Sequence, residues 1–371
     1  MSLNKKVFHI SSVHKRDDIR IFKKQCISLK NNGFEVVFFV NDMKGDEIIE
    51  GIKIFDLGLK YNGRIDRFLN VCKDMYKKLI NFDADIYHFH DPELMPLGLK
   101  LKNKGKIVIY DVHEDLPRQI LTKNYIPKIL RHLISFILEK FENYASKRFN
   151  MIFTATPYIN DRFLKINSNS VNINNYPVLS ESKTFNSTKN IQKENTVCYI
   201  GSISKIRGLE YLIKALDYCD VKLILAGSFS DNKFEKELRE LKSWEKVNYI
   251  GHVSRKKLSE VFSKSKCGIV TFLSAPNHVN AQPNKLFEYM SAGLPIVCSN
   301  FPLWRKIINQ GCGISVDPKN PYQIASAIKQ ILENPSESKI MSKNGIKLIL
   351  KKYNWNAEEI KLIKSYKSLI K

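Results

Sequence analysis

Short runs of apolar and β-branched residues alternate with segments of helical period along the whole chain. Each run is nearly continuous in apolar character, which is typical of strands buried on both faces of a parallel sheet. The alternation predicts an α/β fold of the doubly wound kind. The predicted strands cover residues 6–11, 35–40, 52–57, 85–90, 106–113, 151–156 and 171–174, and then 196–201, 221–227, 247–253, 267–273, 295–300 and 313–317.

A polar segment without a period divides this pattern in two. Residues 179–195 are rich in Ser, Lys and Asn and predict a linker. The linker separates an N-terminal Rossmann-like domain, residues 1–178, from a C-terminal one, residues 196–354. A chain of 371 residues is long enough for two such domains. Residues 355–371 again have helical spacing.

One predicted helix, residues 126–149, differs from the others in its strong amphipathic pattern. Its apolar residues recur at i, i+3, i+4 and i+7, and six Lys and Arg residues surround them. Two interpretations remain open. The apolar stripe either packs on the core beneath a solvated basic face, or it lies on an anionic lipid surface.

The net charge is +23, which favours nucleic acid, anionic lipid or phosphorylated substrates as partners. A composition rich in Lys, Asn and Ile together also arises in AT-rich genomes without selection for charge. Nucleic acid is not predicted as a partner, because no helix-turn-helix, RNP-like or zinc-finger pattern occurs.

The seven cysteines show no CxxC or Cys/His cluster, and several lie in apolar runs. They are expected to be buried thiols in a reducing compartment. The N-terminus MSLNKKVFHI has no signal-peptide pattern, and no stretch of 18 apolar residues occurs. A cytoplasmic location is therefore expected, with peripheral membrane contact through residues 126–149 on the second interpretation above.

The first stretch with candidate chemistry is YIGSISKIRGLEYL, residues 199–212. A predicted strand ends at Gly201, and a helix begins near Gly208. Backbone N–H groups at a helix start favour phosphate, and Lys205 and Arg207 on the loop can add charge-assisted bonds.

The second stretch is PNKLFEYMSAGLPIV, residues 283–297. A predicted helix carries Asn284, Lys285 and Glu288, and it ends at Gly293, which suits a C-cap. A carboxylate at Glu288 could accept hydrogen bonds from two vicinal ribose hydroxyls, and the alternative is a surface ion pair with a neighbouring lysine.

Together these stretches resemble the donor half of retaining glycosyltransferases of family 4, which have the GT-B fold. The family pattern places a Gly, a variable loop and a basic residue with Gly before a helix, as in Gly201 to Arg207-Gly208, and a Glu motif about 80 residues later. The stretches at 9–22, 87–101, 107–117 and 172–178 resemble a bacterial branch that builds surface polysaccharides. The resemblance implies two Rossmann-like domains facing across a cleft, with the C-terminal helix crossing back to the N-terminal domain.

Two positions depart from the family pattern. Asn280 stands where the family has the first of two glutamates, and Ser202 stands where many members have Arg. Arg207 and Lys205 are then expected to contact phosphate, with Lys285 contributing charge. The predicted donor-binding residues are Gly201, Ser202, Gly208, Asn280, Asn284, Lys285 and Glu288.

On the acceptor side, His90 in HFHD matches the family's inter-domain histidine. With Arg207 and Lys205 it completes the predicted catalytic set, although a buried structural histidine is the alternative. His113 and Glu114 follow the next strand, on the ligand side of a parallel sheet. Arg20 and Arg118 are candidates to hold an acceptor phosphate.

No cofactor or metal is expected at the chemical step. Asp83-Ala84-Asp85 spells the DxD of metal-dependent glycosyltransferases of another fold, but it directly precedes a predicted buried strand. The resemblance implies transfer of a hexose from a nucleotide diphosphate-sugar to a glycan or lipid-linked acceptor, with retention. A nucleotide-sugar epimerase of the same fold, a non-catalytic basic binding protein and an inactive homologue remain open.

Overall fold

The computed structural model of the protein describes residues 5–123, 126–179, 195–276 and 278–370. These residues form two compact units. One unit is Met1–Asn175 with Trp355–Lys371, and the other is Tyr176–Asn354. The predicted linker lies outside the described residues, except for its end positions 179 and 195.

The first unit is built on a sheet that has eight strands among the described residues, in the order β3-β4-β2-β1-β5-β6-β7-β8. All neighbours are parallel except β3, which is antiparallel to β4. The strands are β1 Lys6–Ile10, β2 Glu35–Val40, β3 Glu47–Ile49, β4 Ile52–Asp56, β5 Ile86–Phe89, β6 Ile107–Val112, β7 Met151–Thr154 and β8 Ser170–Asn172. The helices are α1 (Ile19–Cys26 with π-type turns, continuing as Ile27–Asn31), α2 Arg64–Leu79, α3 Met95–Asn103, α4 Leu116–Ile120, α5 Lys128–Ser146 and α6 Pro157–Leu164.

The second unit has a parallel sheet in the order β11-β10-β9-β12-β13-β14 within the described residues. This order reverses direction between β9 and β12. The strands are β9 Thr196–Ile200, β10 Lys222–Ala226, β11 Val247–Gly251, β12 Cys267–Val270, β13 Ile296–Ser299 and β14 Gly313–Val316. The helices are α7 Leu209–Ala215, α8 Asn232–Arg239, α9 Arg255–Lys264, α10 Asn284–Ser291, α11 Pro302–Ile308, α12 Pro321–Glu333 and α13 Pro335–Lys351.

The last helix, α14 (Trp355–Leu369), packs on the first unit, as predicted for residues 355–371. The hydroxyl of Tyr366 lies 2.6 Å from Nδ1 of the buried His88. The indole of Trp355 donates to Ser28 at 2.9 Å, and the carboxylate of Glu358 accepts from the backbone N–H of Asn174 at 2.9 Å. Polar contacts near both ends of this helix therefore fix it on the first unit.

The core-packing interpretation of the helix at 126–149 is wrong for much of its apolar stripe. Helix α5 exposes Ile129, Leu130, Leu133 and Ile137 to solvent. The rest of the stripe, Ile126, Ile134, Leu138 and Phe141, is partly buried, and Phe141 packs against the core of the first unit. The buried residues of α5 are Ser135, Glu142, Ala145 and Ser146.

The predicted strands are confirmed, and most are one or two residues shorter than predicted. The edge strand β3 is missing from the prediction because its three residues are mostly exposed and show no alternation. None of the seven cysteines forms a disulfide, and six of them are buried. Over the described part of the chain, no helix combines the length and apolar character that crossing a membrane requires.

Candidate donor and acceptor sites

The two donor-side stretches of the sequence meet at the carboxyl edge of the second sheet. The loop after β9 and the loop after β12 lie side by side, because these strands are neighbours at the point where the strand order reverses. The backbone N–H of Leu273 donates to the carbonyl of Ile206 at 3.0 Å and joins the two loops. A reversal of strand order opens a crevice outside the carboxyl ends of parallel strands, which is where ligands bind in such sheets.

Two glycines permit this close approach. Gly201 has φ +104°, and a Cβ there would lie 2.7 Å from Cε of Lys285. Gly208 has φ +72°, and its Cβ would lie 1.9 Å from the carbonyl oxygen of Thr271. A side chain at Gly208 would push the two loops apart, and one at Gly201 would displace the end of the Lys285 side chain.

Two cations converge on one aromatic ring in this crevice. The guanidinium carbon of Arg207 lies 4.1 Å from the ring centre of Phe272, and Nζ of Lys285 lies 4.9 Å from the same centre. The ammonium of Lys285 also lies 3.4 Å from the hydroxyl of Tyr199. The Phe272 ring contacts both charged groups through cation–π interactions and so keeps them close together in the crevice.

The electrostatics of the crevice show how closely these cations are placed. Desolvation, with the charge of Arg207, lowers the pKa of Lys285 to about 7. Desolvation, with the charges of Arg207 and Lys285, also lowers the pKa of His278 to about 4. A bound anion would offset the repulsion among these groups.

The other predicted donor residues are placed less uniformly. Lys205 is largely exposed and lies 3.9 Å from Glu237, so it does not join the cations at Phe272. Glu288 accepts from Arg255 of α9 at 3.1 Å rather than from a lysine on its own helix. Ser202 is exposed, and its carbonyl accepts from the Tyr199 hydroxyl. Asn280 is partly buried in the loop after β12, and Asn284 begins α10 with its side chain exposed.

Several residues that sequence reasoning missed shape the loop after β12. The hydroxyl of Ser299 donates to the carbonyl of Phe272 at 2.7 Å, and the indole of Trp304 donates to the carbonyl of Ala281 at 2.7 Å. His278 packs against Phe272 at 5.1 Å between ring centres. The available signal was position: Phe272 comes two residues after β12, which lies beside β9, the strand that Gly201 follows.

In the first unit, the strand order reverses between β1 and β5, and the residues after these strands are joined by hydrogen bonds. Oδ2 of the buried Asp91 accepts from the hydroxyl of Ser11 at 2.8 Å and the backbone N–H of Ser12 at 2.7 Å. Its Oδ1 lies 3.5 Å from Nε2 of His14. The other ring nitrogen of His14 lies 3.1 Å from the carboxylate of Asp18.

Asp111, at the end of β6, is the centre of this region. Its buried carboxylate receives Nε and one terminal nitrogen of Arg20 at 3.0 and 2.6 Å, and the amide of Gln25 at 2.7 Å. Oδ2 of this carboxylate also lies 3.2 Å from Nδ1 of His90 and 3.2 Å from Nε2 of His113. Burial opposes ionisation, but Arg20 and His113 hold the pKa of Asp111 well below its usual value.

His90 is fully buried, and both of its ring nitrogens have partners. Nδ1 faces Asp111, and Nε2 lies 2.9 Å from Nδ1 of His9. Nε2 of His9 lies 3.5 Å from the hydroxyl of Tyr366. Burial and neighbouring histidines hold the pKa values of His9 and His88 well below normal, and burial lowers that of His90 to about 3. The lowered pKa values make these buried imidazoles neutral, and their hydrogen bonds support the carboxyl edge of the sheet from inside the domain.

Two further imidazoles, next to these buried histidines, reach the surface. The rings of His14 and His113 are 4.8 Å apart, and both side chains are partly exposed. Burial lowers the pKa of His14, but the hydrogen bond to Asp18 and the charge of Asp91 outweigh it and raise the pKa above the usual value. With Nε2 of His113 directed at Asp111, its Nδ1 is the ring nitrogen that can meet a ligand.

The remaining predicted acceptor residues have structural partners. Arg20 is buried, and besides Asp111 it binds the carbonyl of Ile173 at 2.7 Å. Arg118 donates to Glu139 of α5 at 2.6 Å. Glu114 is exposed and accepts from Gln119. Of the predicted set, His113 therefore has the geometry that best suits contact with a ligand.

Two groups of side chains in the first unit are close enough to hold a metal ion: His9 with His88 and His90, and His90 with Asp111 and His113. The Arg20 guanidinium already neutralises Asp111, and a divalent cation there would meet its positive charge. The DxD carboxylates lie elsewhere: Asp83 pairs with Lys106 at 2.5 Å, and Asp85 pairs with Lys5 at 2.8 Å.

In sequence comparison, the family model for glycosyl transferases group 1 matches residues 180–348. An uncharacterised glycosyltransferase of Methanocaldococcus jannaschii is 27% identical over 180 residues, which cover 47% of this chain and 45% of that protein. The O-antigen chain mannosyltransferase B of Escherichia coli is 25% identical over 183 residues, 46% of this chain and 45% of that protein. Each match thus covers slightly less than half of either chain.

Structural comparison covers nearly the whole chain. Sucrose-phosphate synthase from Thermosynechococcus elongatus superposes with a TM-score of 0.79 at 17% identity, over 99% of both chains. HepE from Anabaena in complex with UDP superposes with a TM-score of 0.73 at 12% identity, over 98% of this chain and 100% of that chain. At such identities the likeness shows the fold, which is GT-B.

Proposed function

We propose that this chain is a glycosyltransferase that transfers a hexose from a nucleotide diphosphate-sugar to a glycan or lipid-linked acceptor. The observation that carries the proposal is the convergence of Arg207 and Lys285 on Phe272, beside Gly201. Two cations held in a desolvated crevice at a strand-order reversal suit a diphosphate.

The chemistry follows from where charge develops. The acceptor hydroxyl oxygen attacks the anomeric carbon, and the bond from that carbon to the β-phosphate oxygen breaks. Negative charge accumulates on the departing diphosphate, where fixed cations stabilise the transition state more than the ground state. Arg207 and Lys285 take this role in the proposal. Glu288, held by Arg255 through one oxygen, has the other available for ribose hydroxyls.

On the acceptor side, we place the hydroxyl group beside His113. The acceptor's proton must leave as the new bond forms, and Nδ1 of His113 can accept it while Asp111 holds the opposite ring nitrogen. The His14 imidazolium next to it can bind an anionic group of the acceptor. His90 is then a positioning residue that acts through Asp111.

The finer parts of the proposal rest on resemblance. Retention follows the family 4 pattern at residues 199–212 and 283–297. A role in surface polysaccharide synthesis is supported by similarity to the O-antigen mannosyltransferase. The use of a nucleotide-sugar is supported by the fold shared with HepE, which has been solved with UDP and UDP-glucose. A lipid-linked acceptor would place the protein at the cytoplasmic face of a plasma membrane.

A thermal-shift screen with UDP, GDP, ADP and their hexose conjugates tests the donor site. A ligand that binds the folded state alone raises the unfolding midpoint by mass action. We expect one nucleotide to stabilise the wild type, and the shift to vanish in Arg207→Ala and Lys285→Ala. Lys214→Ala is the matched control, because Lys214 lies on α7 and pairs with Glu210 away from the crevice. Stabilisation that survives in both test variants would refute the site.

An acceptor-free incubation separates transfer from epimerisation. A transferase alone leaves the hexose configuration of its donor unchanged, whereas an epimerase converts the nucleotide-sugar without any acceptor. Chromatography of the recovered nucleotide-sugar measures this directly. Appearance of an epimer would overturn the transferase assignment while leaving the donor site intact.

A further inference from the structure

Helix α5 differs from an ordinary surface helix in which residues it turns inward and which it exposes. Its inward side makes polar bonds: Ser135 donates to the carbonyl of Pro117 at 2.7 Å, and Glu142 accepts from Tyr110 at 3.2 Å and from Arg162. A surface helix in a water-soluble domain normally turns its apolar side to the core. This helix is held to the domain by these polar bonds together with Phe141 and Ala145, which pack on the core.

The outward side is correspondingly apolar. Ile129 is 86% exposed, and four further large apolar side chains are about half exposed. They recur at three- and four-residue spacing, so they form one continuous stripe along the helix. Contiguous exposed apolar surface of this kind marks an interaction site in a folded protein. The four are Leu130, Leu133, Phe136 and Ile137.

The charges around this stripe have one sign. The acidic residues of α5 are Glu139 and Glu142, and each is bound inward, to Arg118 and Arg162 respectively. The exposed cations near the stripe are Lys128, Lys140 and, just beyond the helix, Lys147 and Arg148. An open hollow at the C-terminal end of α5 continues the basic surface and is lined by Asn143, Tyr144, Lys147, Arg148, Lys165 and Ile166.

We propose that the exposed face of α5 docks on an anionic lipid bilayer. The stripe would enter the interface between headgroups and acyl chains, and the lysines would extend along it to the phosphates. A second copy of the chain fits the same surface poorly, because a two-fold contact would set each cation against cations of its partner. The proposal concerns a surface of the first unit and does not depend on the proposed transfer reaction.

Co-sedimentation with vesicles tests the proposal. We expect the wild-type protein to bind vesicles of phosphatidylcholine containing phosphatidylglycerol, to bind pure phosphatidylcholine weakly, and to be released by high salt. Leu133→Asp with Phe136→Asp should reduce binding by roughly tenfold or more, because two charges then replace apolar contacts in the interface. Lys128→Ala with Lys140→Ala should reduce binding to the anionic vesicles on the order of tenfold, with little effect on pure phosphatidylcholine.

The control variant is Leu350→Asp on α13, since Leu350 is 58% exposed and Leu133 is 54% exposed. It should bind anionic vesicles like the wild type, and all variants should keep the wild-type nucleotide response in the thermal-shift screen. Absence of binding by the wild type at low salt would overturn the proposal, as would unchanged binding by the double aspartate variant. Light scattering that shows a dimer dissolved by Leu133→Asp, without vesicle binding, would assign the face to a second copy instead.

Discussion

The backbone of Gly201 passes directly against the side chain of Lys285, so that a single added methyl group would lie 2.7 Å from Cε and 2.8 Å from Nζ. This contact links the strand–loop turn after β9 to the first turn of α10. It fixes the height of the lysine ammonium above the sheet edge. The proposed position of the phosphate ligand therefore requires that residue 201, in the turn after the neighbouring strand β9, has no side chain.

Gly201→Ala should therefore weaken nucleotide binding through Lys285. The methyl group must displace the lysine, and the positive φ adds a backbone strain of about 1–2 kcal/mol. Gly251→Ala is the control, since Gly251 also has positive φ (+68°) but nothing lies within 4 Å of its Cβ position. Titration calorimetry with the stabilising nucleotide should show loss of affinity in the first variant alone. Equal affinities in both would show that Lys285 does not contact the ligand.

The lowered pKa of Lys285 predicts proton uptake on donor binding. With a pKa of about 7 in the crevice, the amine is largely neutral at pH 8, whereas a bound diphosphate favours the charged form. Affinity should therefore fall as pH rises above 7, by up to about tenfold per pH unit. Calorimetry at pH 8 in buffers of different ionisation enthalpy measures the uptake. It should be absent in Lys285→Met, and equal uptake in that variant would assign the proton to another group.

The same lysine predicts a stability change in the ligand-free protein. Between pH 7 and the ordinary pKa of a lysine, the unfolded chain holds this proton and the folded chain does not, so the free energy of unfolding should increase with pH in that window. Below pH 7 both states are protonated, and the contribution to the pH dependence ends. Urea unfolding from pH 7 to 9 should show a flatter dependence for Lys285→Met than for the wild type. Parallel curves would contradict the shift.

Asp18 is predicted to keep His14 protonated. The raised pKa of His14 depends on its hydrogen bond to Asp18, which also accepts from the backbone N–H of Ile21 at the start of α1. The stabilisation from His14 is complete below pH 6.5 and is lost as pH rises through the raised value. Asp18→Asn should lower the pKa of His14, as measured by imidazole ¹⁵N shifts in an NMR titration. The neutral amide can still cap α1, and an unchanged His14 titration would assign the shift to Asp91.

The fold could be predicted from sequence because its signals are local and repeated. Strands such as β2 and β9 are apolar runs whose ends the sequence marks with polar residues or glycine. Helix α5 shows the limit of the same method. A helical period reports that a helix has two unlike faces, but which face turns inward depends on partners such as Tyr110 and Arg162, which are distant in the chain.

The candidate sites were only partly predictable for a related reason. Sequence reasoning selected both Lys205 and Lys285, and only the folded loops place Lys285 against Phe272 while Lys205 lies near Glu237. His90 ends its strand on the ligand side, yet its partners His9 and Asp111 leave it beneath the surface. Side-chain depth at a sheet edge is set by neighbouring strands, and a single sequence does not list them in spatial order.

The buried Arg20–Asp111 pair is predicted to support the acceptor-side histidines rather than to bind substrate. Arg20→Met would leave the Asp111 carboxylate buried without its main countercharge, which should cost about 3–5 kcal/mol of unfolding free energy. Arg239→Met is the control, because its ion pair with Glu235 on α8 is exposed and should contribute less than about 1 kcal/mol. Urea denaturation, followed by a probe in the first unit, measures both. A loss for Arg20→Met no larger than that of the control would show that Asp111 does not need the guanidinium, and the arginine would again be a candidate ligand for an acceptor phosphate.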